Sequence, residues 1–352
     1  MSVDLAEQLR WRGVRQYVRP EARSWTCPPA PPAVQAFHRG LPDYAPTPLV
    51  ELPALAAELG VGRVLVKDES LRLGLPAFKA LGASWAIHRV LTAEPDAVRL
   101  VTATDGNHGR AVARLARGHG RTARVFVPRD VPSTAIAAEG AEVVEVAGSY
   151  DEAVRQAAAD AETPGNVLVQ DTAWPGYERT PGWIVEGYST LFREIDIVPD
   201  LVVIPAGVGS LAQAAVTHYR SGGPAPALLT VEPENAACVL TSLLLGRPVS
   251  VETGRTIMAG LSCGTVSSLA WPFLFGGLDG AIAVRDADTA AATRDLAALG
   301  LAAGPCGAAS LAGVRAALPH RAALNLGPDA TVVLLSTEGV DPVSTEGVDP
   351  GQ

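Results

Sequence analysis

The segment LVKDESLRLGLPAFKALG, Leu65 to Gly82, holds both lysines of the 352-residue chain, Lys67 and Lys79. Every other member of the 28 Lys+Arg is arginine, so a plain positive charge is met by arginine throughout. Arginine keeps its proton at any workable pH and cannot attack an aldehyde carbon, whereas lysine can, and its pKa moves readily on burial. Lys79 follows Pro76-Ala77-Phe78 and opens the apolar run Ala80-Leu81-Gly82-Ala83-Ser84-Trp85-Ala86. At the start of a buried helix, helix-end potential and desolvation are both expected to depress its ammonium pKa. Lys67 closes the strand Val64-Leu65-Val66 beside Asp68 and Glu69, the setting of a salt-bridged or surface lysine. Lys79 is the candidate for covalent chemistry.

Outward from this segment the chain alternates strand with helix. Arg99–Ala103 precedes Arg110–Arg117, Arg124–Val127 precedes Ser133–Glu139, and Glu142–Val146 precedes Tyr150–Ala161. After Val167–Gln170 come a helix around Trp183–Phe192, the strand Leu201–Pro205, a helix from Ser210 and the strand Leu228–Val231; a last helix from about Ala308 leads to the strand Thr331–Leu335. Such alternation predicts an α/β fold with open parallel sheets, and 352 residues at 48% hydrophobic predict two domains. The expected division is a discontinuous large domain, residues 1–83 with 186–340, and a small α/β domain, residues 84–185. Upstream of Leu65, the proline cluster Cys27 to Pro32 reads as an extended lead-in, and Ala54–Leu59 as a helix stopped by Gly60. The heptapeptide STEGVDP at Ser336–Pro342 recurs at Ser344–Pro350; only the first copy follows an apolar strand, and residues 341–352 read as a disordered tail.

A net charge of -9 and scattered arginines give no basic patch, which argues against nucleic acid or acidic membranes as partners. Met1–Pro20 lacks an apolar leader and no stretch approaches a membrane span, so a cytoplasmic location is the default. Cys27, Cys238, Cys263 and Cys306 lack metal-ligand spacing, so no metal is expected. Cys238 and Cys263 are the one pair worth weighing for a disulfide, with two separate thiols the favoured alternative.

Two further stretches can carry chemistry. Thr102-Ala103-Thr104-Asp105-Gly106-Asn107-His108-Gly109 lies at a strand-to-helix corner, where backbone amides favour an anion. Asp105 is a candidate acid or base and Asn107 a candidate partner for a ring hydroxyl, or both simply shape the turn; His108 alone is more often structural. Ala206-Gly207-Val208-Gly209-Ser210-Leu211-Ala212 follows an apolar strand and opens a helix, a frame suited to phosphate. Read as GxGxxA with Glu232 at the end of the next strand, it also imitates a dinucleotide fingerprint, making an NAD-dependent oxidoreductase the rival. That rival leaves Lys79 without a task.

Together these stretches resemble the pyridoxal-phosphate enzymes of the tryptophan-synthase β fold, fold type II, and more closely the diaminopropionate ammonia-lyase family. The matches are GLPAFKALG around Lys79, ATDGNHGR around Asp105, DTAWPGY at Asp171–Tyr177, AGVG at Ala206, IMAGLSCG at Ile257 and STEG at Ser336. Generic members of the fold have serine where this chain has Asp105. The resemblance implies that Lys79 holds pyridoxal 5'-phosphate covalently and later acts as a base, with Asp105 as the second proton-handling group. It implies a cofactor site of Phe78, Lys79, Asn107, Gly207, Val208, Gly209, Ser210, Ser336 and Thr337, with Asn107 at the phenolic oxygen, the glycine loop at the phosphate, and Ser336 or Thr337 at the pyridine nitrogen. Substrate binding falls to Thr104, Gly106, His108, Asp171 and Tyr177; Asp171 reads either as a partner of a β-amine or as a helix cap. Where the family has GESGA this chain has Gly304-Pro305-Cys306-Gly307-Ala308, losing a carboxylate and a hydroxyl. The expected activity is elimination of ammonia from 2,3-diaminopropionate or a similar β-substituted amino acid by a homodimer. A β-replacement synthase is the alternative, and a catalytically idle cofactor-binding protein a third reading.

Overall fold

The structure is a computed structural model that describes residues 15–340 apart from Asp105 and Asp130. The tail expected at 341–352 and the acid/base candidate Asp105 therefore lie outside the described residues. The first half of the described chain runs β1 (Gln16–Val18), α1 (Ala33–Arg39), β2 (Leu49–Glu51), α2 (Pro53–Leu59), β3 (Arg63–Asp68) and α3 (Lys79–Ala93). Next come β4 (Arg99–Ala103), α4 (Asn107–Gly118), β5 (Thr122–Pro128), α5 (Thr134–Ala138), β6 (Glu142–Val146), α6 (Tyr150–Asp160), β7 (Asn166–Leu168) and α7 (Arg179–Arg193). The remainder is β8 (Leu201–Pro205), α8 (Ser210–Tyr219), β9 (Ala227–Pro233), α9 (Cys238–Leu245), α10 (Trp271–Gly277), β10 (Gly280–Val284), α11 (Asp286–Ala298), α12 (Pro305–Ala317) and β11 (Thr331–Ser336).

The strands form two sheets. One has the order β6-β5-β4-β7 and is parallel throughout; the other has the order β1-β10-β9-β8-β11-β3-β2 and is parallel except at its two edge strands. The expected α/β class with open parallel sheets is what the chain adopts. In the larger sheet, Val64, Val66, Val332 and Leu334 face a core shared with α12, while Leu65, Val333 and Leu335 face a second core shared with α7 and α8. Burial on both faces is why β3, β8 and β11 read as unbroken apolar runs rather than as alternating ones.

Helices α3 and α7 join the two sheets and pack on each other through glycine. A Cβ at Gly82 would lie 2.4 Å from Tyr188 Cε1, and one at Gly187 would lie 2.6 Å from the Leu81 carbonyl oxygen. This close approach sets the Tyr188 ring against Phe78, with centroids 4.8 Å apart, beside the lysine that opens α3.

The loop between β3 and α3 is pinned by a buried ionic cluster. Lys67 is fully buried and donates to Glu194 at 2.6 Å and to the Thr47 carbonyl at 2.8 Å. Arg72, also buried, bridges Glu69 and Glu194, each at 2.6 Å. Lys67 is thus the salt-bridged lysine its sequence setting implied, in the interior rather than at the surface.

Candidate active site

Parallel strands end at one crevice, where loops leaving their carboxyl ends converge. The loops after β3, β4, β8 and β11 line a cavity of about 620 Å³ between the two sheets. Its walls include Phe78, Lys79, Thr104, Gly106, Asn107 and His108 from the smaller-sheet side and its neighbouring helix. Asp171, Gly207, Val208, Gly209, Ser210 and Thr337 also line it, whereas the nominated Tyr177 and Ser336 are not among its walls.

Lys79 is the first residue of α3, and its ammonium donates to Asp171 Oδ2 at 2.6 Å. Burial opposes the charge on Lys79, but the Asp171 carboxylate outweighs it, and the ammonium pKa is raised. The expected depression is therefore reversed, because a counter-ion 92 residues away was invisible in the local sequence. Burial likewise opposes the Asp171 charge; Lys79, and then His108, overcome that and hold its carboxyl below the usual range. The other oxygen of Asp171 accepts from Gln170 Nε2 at 3.2 Å and from the Tyr150 hydroxyl at 3.3 Å. Asp171 caps no helix, since α7 begins only at Arg179.

His108 bonds through Nε2 to the Val169 carbonyl oxygen at 2.8 Å, which makes Nε2 the protonated nitrogen. Burial then lowers its pKa, and Nδ1 is left buried without a hydrogen-bond partner, 3.9 Å from Asp171 Oδ2. Thr104 turns its hydroxyl to the backbone amides of Gly106 and Gly109, at 2.9 and 3.1 Å, and so shapes the corner after β4. Tyr177 stands apart from the cavity walls: its hydroxyl accepts from the Gln170 amide and donates to the Leu168 carbonyl, and its ring stacks on Trp174.

The glycine loop after β8 is built without room for side chains. Gly209 has φ +96 and a Cβ there would lie 2.7 Å from Leu274 Cδ1; a Cβ at Gly207 would lie 2.9 Å from Cys263 Sγ. Open amides and the N-terminus of α8 meet at Ser210, whose own hydroxyl donates to the Asp171 carbonyl at 2.8 Å. Glu232, the acid that the dinucleotide reading required, is fully buried and accepts from the Val239 and Leu240 amides, both at 2.7 Å. It caps α9, and burial pushes its pKa up to about 8, so no ribose could reach a carboxylate there. The rival reading is removed by geometry.

Sequence reasoning gave no role to Glu338. Its side chain accepts from Asn107 Nδ2 at 2.7 Å and from the Cys306 amide at 3.2 Å, and burial raises its pKa. The carboxyl thus sits at the N-terminus of α12, which begins at Pro305. The only clue was its place in the STEG motif, whose preceding residue pair drew attention instead. Cys238 and Cys263 are both buried and form no disulfide, in line with the favoured alternative.

A half-buried lysine facing a glycine loop at the mouth of a parallel sheet is how an enzyme anchors pyridoxal phosphate, and the residues fit that group. The cradle at Gly207 and Gly209, where a Cβ has no room, suits a phosphate, and the buried Ser336 hydroxyl, without a hydrogen-bond partner, suits a ring nitrogen. The fold and site are those of a fold type II pyridoxal-phosphate enzyme. The family model described as pyridoxal-phosphate dependent enzyme matches residues 41–338.

The diaminopropionate ammonia-lyase of Salmonella typhimurium is 40% identical over 282 residues, covering 68% of this chain and 69% of that protein. That of Escherichia coli K12 is 37% identical over 346 residues, 86% of each. The crystal structure of the Escherichia coli enzyme in complex with an aminoacrylate-PLP azomethine reaction intermediate superposes with a TM-score of 0.85 at 32% identity, covering 94% of this chain and 95% of that one. The chain belongs to the diaminopropionate ammonia-lyase family.

Proposed function

We propose that the protein is a pyridoxal-phosphate-dependent lyase that eliminates ammonia from 2,3-diaminopropionate. The Cα proton and the β-nitrogen leave, water replaces the remaining nitrogen, and the products are pyruvate and two molecules of ammonia. The observation that carries this reading is the Lys79–Asp171 contact of 2.6 Å inside the cavity. A carboxylate already placed to hold one ammonium there can hold the ammonium of a substrate when Lys79 is engaged elsewhere.

Bound pyridoxal phosphate supplies the electron sink that makes a Cα proton removable. Lys79 would anchor it, the amides of Gly207, Val208, Gly209 and Ser210 would take its phosphate, Asn107 its phenolic oxygen, and Ser336 its ring nitrogen. Phe78 and Thr337 wall the same space. Once its nitrogen is released to act as a base, Lys79 takes the Cα proton. Asp171 grips the β-ammonium, and His108, neutral with its Nδ1 lone pair toward Asp171, accepts a hydrogen bond from that ammonium, which departs as ammonia. Glu338 positions the Asn107 amide. Asp105 is assigned, from its sequence match, the proton transfer that Lys79 does not perform.

We further take the enzyme as a cytoplasmic homodimer in which residues 84–185 form the small domain and 1–83 with 186–340 the large one. Buried thiols left unbridged favour a reducing compartment, and no described helix is long and apolar enough to cross a membrane. The test is to incubate the enzyme with 2,3-diaminopropionate and measure pyruvate and ammonia together. Pyruvate with twice its amount of ammonia supports elimination; a new amino acid formed with an added nucleophile, in place of pyruvate, would move the assignment to β-replacement.

A further inference from the structure

Tyr188 stands beside Lys79, yet the reaction proposed for the cleft gives it no task. It projects from α7 onto the first turn of α3, where Lys79 and Gly82 are three residues apart and share a face. A Cβ at Gly82 would lie 2.8 Å from Tyr188 Cζ, the carbon that carries the hydroxyl. The Phe78 ring closes the group: its centroid is 4.8 Å from that of Tyr188 and 5.3 Å from Lys79 Nζ. Tyr188 is 0% exposed, and no hydrogen bond of normal geometry reaches its oxygen. A buried polar atom without a partner is rare and calls for a reason. The oxygen faces no cavity, so a dissolved ligand cannot be that partner; a neighbouring side chain can.

Lys79 is that neighbour. Burial raises the phenol pKa, and the Lys79 ammonium counters this by its charge and by hydrogen-bond reach. The oxygen stays unbonded because Asp171 holds the ammonium at 2.6 Å. Turnover breaks that arrangement. The inference rests on the proposed reaction, in which Asp171 grips the substrate's β-ammonium while Lys79 takes the Cα proton and becomes an ammonium without its counter-ion. The other groups that share a field with Lys79 are committed or weak. His108 of α4 keeps its Nδ1 toward Asp171, and Glu338 accepts from Asn107 and from the Cys306 amide of α12. The Cys263 and Cys306 thiols are weak acceptors.

We propose that Tyr188 is a positioning residue for the base: its phenol oxygen accepts from the Lys79 ammonium when Asp171 is engaged by substrate, and so holds the abstracted proton on the lysine. Only a hydrogen bond is made, and the phenol keeps its own proton. Hydrogen bonds to a charged donor exceed those to its neutral form, so the hydroxyl should favour ammonium over amine by ~10-fold, or about one unit of pKa.

The test uses the two-lysine composition. Lysine labelled with carbon-13 at Cε gives two side-chain signals, one from Lys67, buried against Glu194, and one from Lys79, so the Lys79 titration can be followed by itself in NMR spectra. In the full-length cofactor-free chain, Tyr188→Phe should barely alter that titration while Asp171 is present. Added to Asp171→Asn, it should lower the Lys79 pKa by about one further unit. Tyr188→Phe removes an unbonded oxygen and should melt no lower than wild type; a marked loss of stability would reveal a structural bond and overturn the proposal. In the holoenzyme the variant should lose ~10-fold in kcat for 2,3-diaminopropionate, with KM unchanged and the acid limb of the pH profile moved to lower pH. An identical Lys79 titration in Asp171→Asn with and without the Tyr188 hydroxyl, or a raised KM with an unmoved acid limb, would overturn the proposal. The NMR titrations involve no substrate, so a chain that shows the shift but releases no pyruvate would support the pairing and refute the lyase reading.

Discussion

Replacing Asp171 by asparagine removes the counter-charge of Lys79 and leaves the geometry nearly intact. In the cofactor-free protein the pair is held at 2.6 Å, with side chains 22% and 7% exposed. Breaking a buried pair by removing one partner costs about 3–5 kcal/mol; because Lys79 opens partly to the cleft, the lower end, ~3 kcal/mol, is expected. The pH dependence gives the sharper signature. In wild type the Asp171 pKa is lowered and that of Lys79 raised. The pair's contribution is therefore present above the unfolded carboxyl pKa of ~3.9 and below the unfolded amine pKa of ~10.4, and it is flat between pH 6 and 9. In Asp171→Asn the dominant influence left on Lys79 is burial, which lowers its pKa, so the unfolded state binds more protons and stability should rise with pH over the same window. Thermal melts of the cofactor-free proteins at pH 6, 7, 8 and 9 should show a gap that narrows with pH. It should also narrow when pyridoxal phosphate is added and engages the lysine. An asparagine variant that melts with wild type, or a gap constant with pH and cofactor, would refute the reasoning.

Lys79→Ala should lose the visible absorption of the covalently held cofactor, whereas Lys67→Met should keep it and instead lose about 3–5 kcal/mol of stability, because Glu194 is left with a single cationic partner; absorption spectra and denaturant titrations separate the two. Asp105→Asn should retain the cofactor and lower turnover of diaminopropionate by ~10²–10⁴-fold, with recovery on β-chloroalanine if the residue protonates the departing amine. Full activity of that variant on all substrates would make it a turn residue. Gly82→Ala should cost about 1–3 kcal/mol by overpacking and shift the Tyr188 ring, since the added methyl would lie 2.4 Å from it; unchanged stability and tyrosine-region spectra would show that α3 and α7 can part freely.

Sequence reading succeeded where neighbours along the chain carried the information. The helix opening at Lys79, the glycine loop before Ser210 and the buried strand before Ser336 are each encoded by a few adjacent residues. It missed β10, Gly280–Val284, because Gly-Ala-Ile-Ala-Val has too few large β-formers to stand out; the strand is fixed by its fit between β9 and β1. It also failed where partners are distant. Asn107 meets Glu338 across 231 residues, and Lys79 meets Asp171 across 92, so neither the carboxyl that orients Asn107 nor the sign of the Lys79 shift could be read locally. Tyr177 belonged to a matched motif, yet its hydroxyl is committed to the backbone of Leu168 and Gln170.

The sealing of Lys67 has a chemical corollary. With two lysines in the whole sequence and one of them at 0% exposure behind two hydrogen bonds, a dissolved aldehyde meets a single side-chain amine, the one at the bottom of the cleft. Surface adducts with excess cofactor, glycation by sugars and amine-directed crosslinking on side chains have no other target. Arginine everywhere else thus leaves the exterior without a lysine side chain to form an imine, in an enzyme whose cofactor and expected product are both carbonyl compounds.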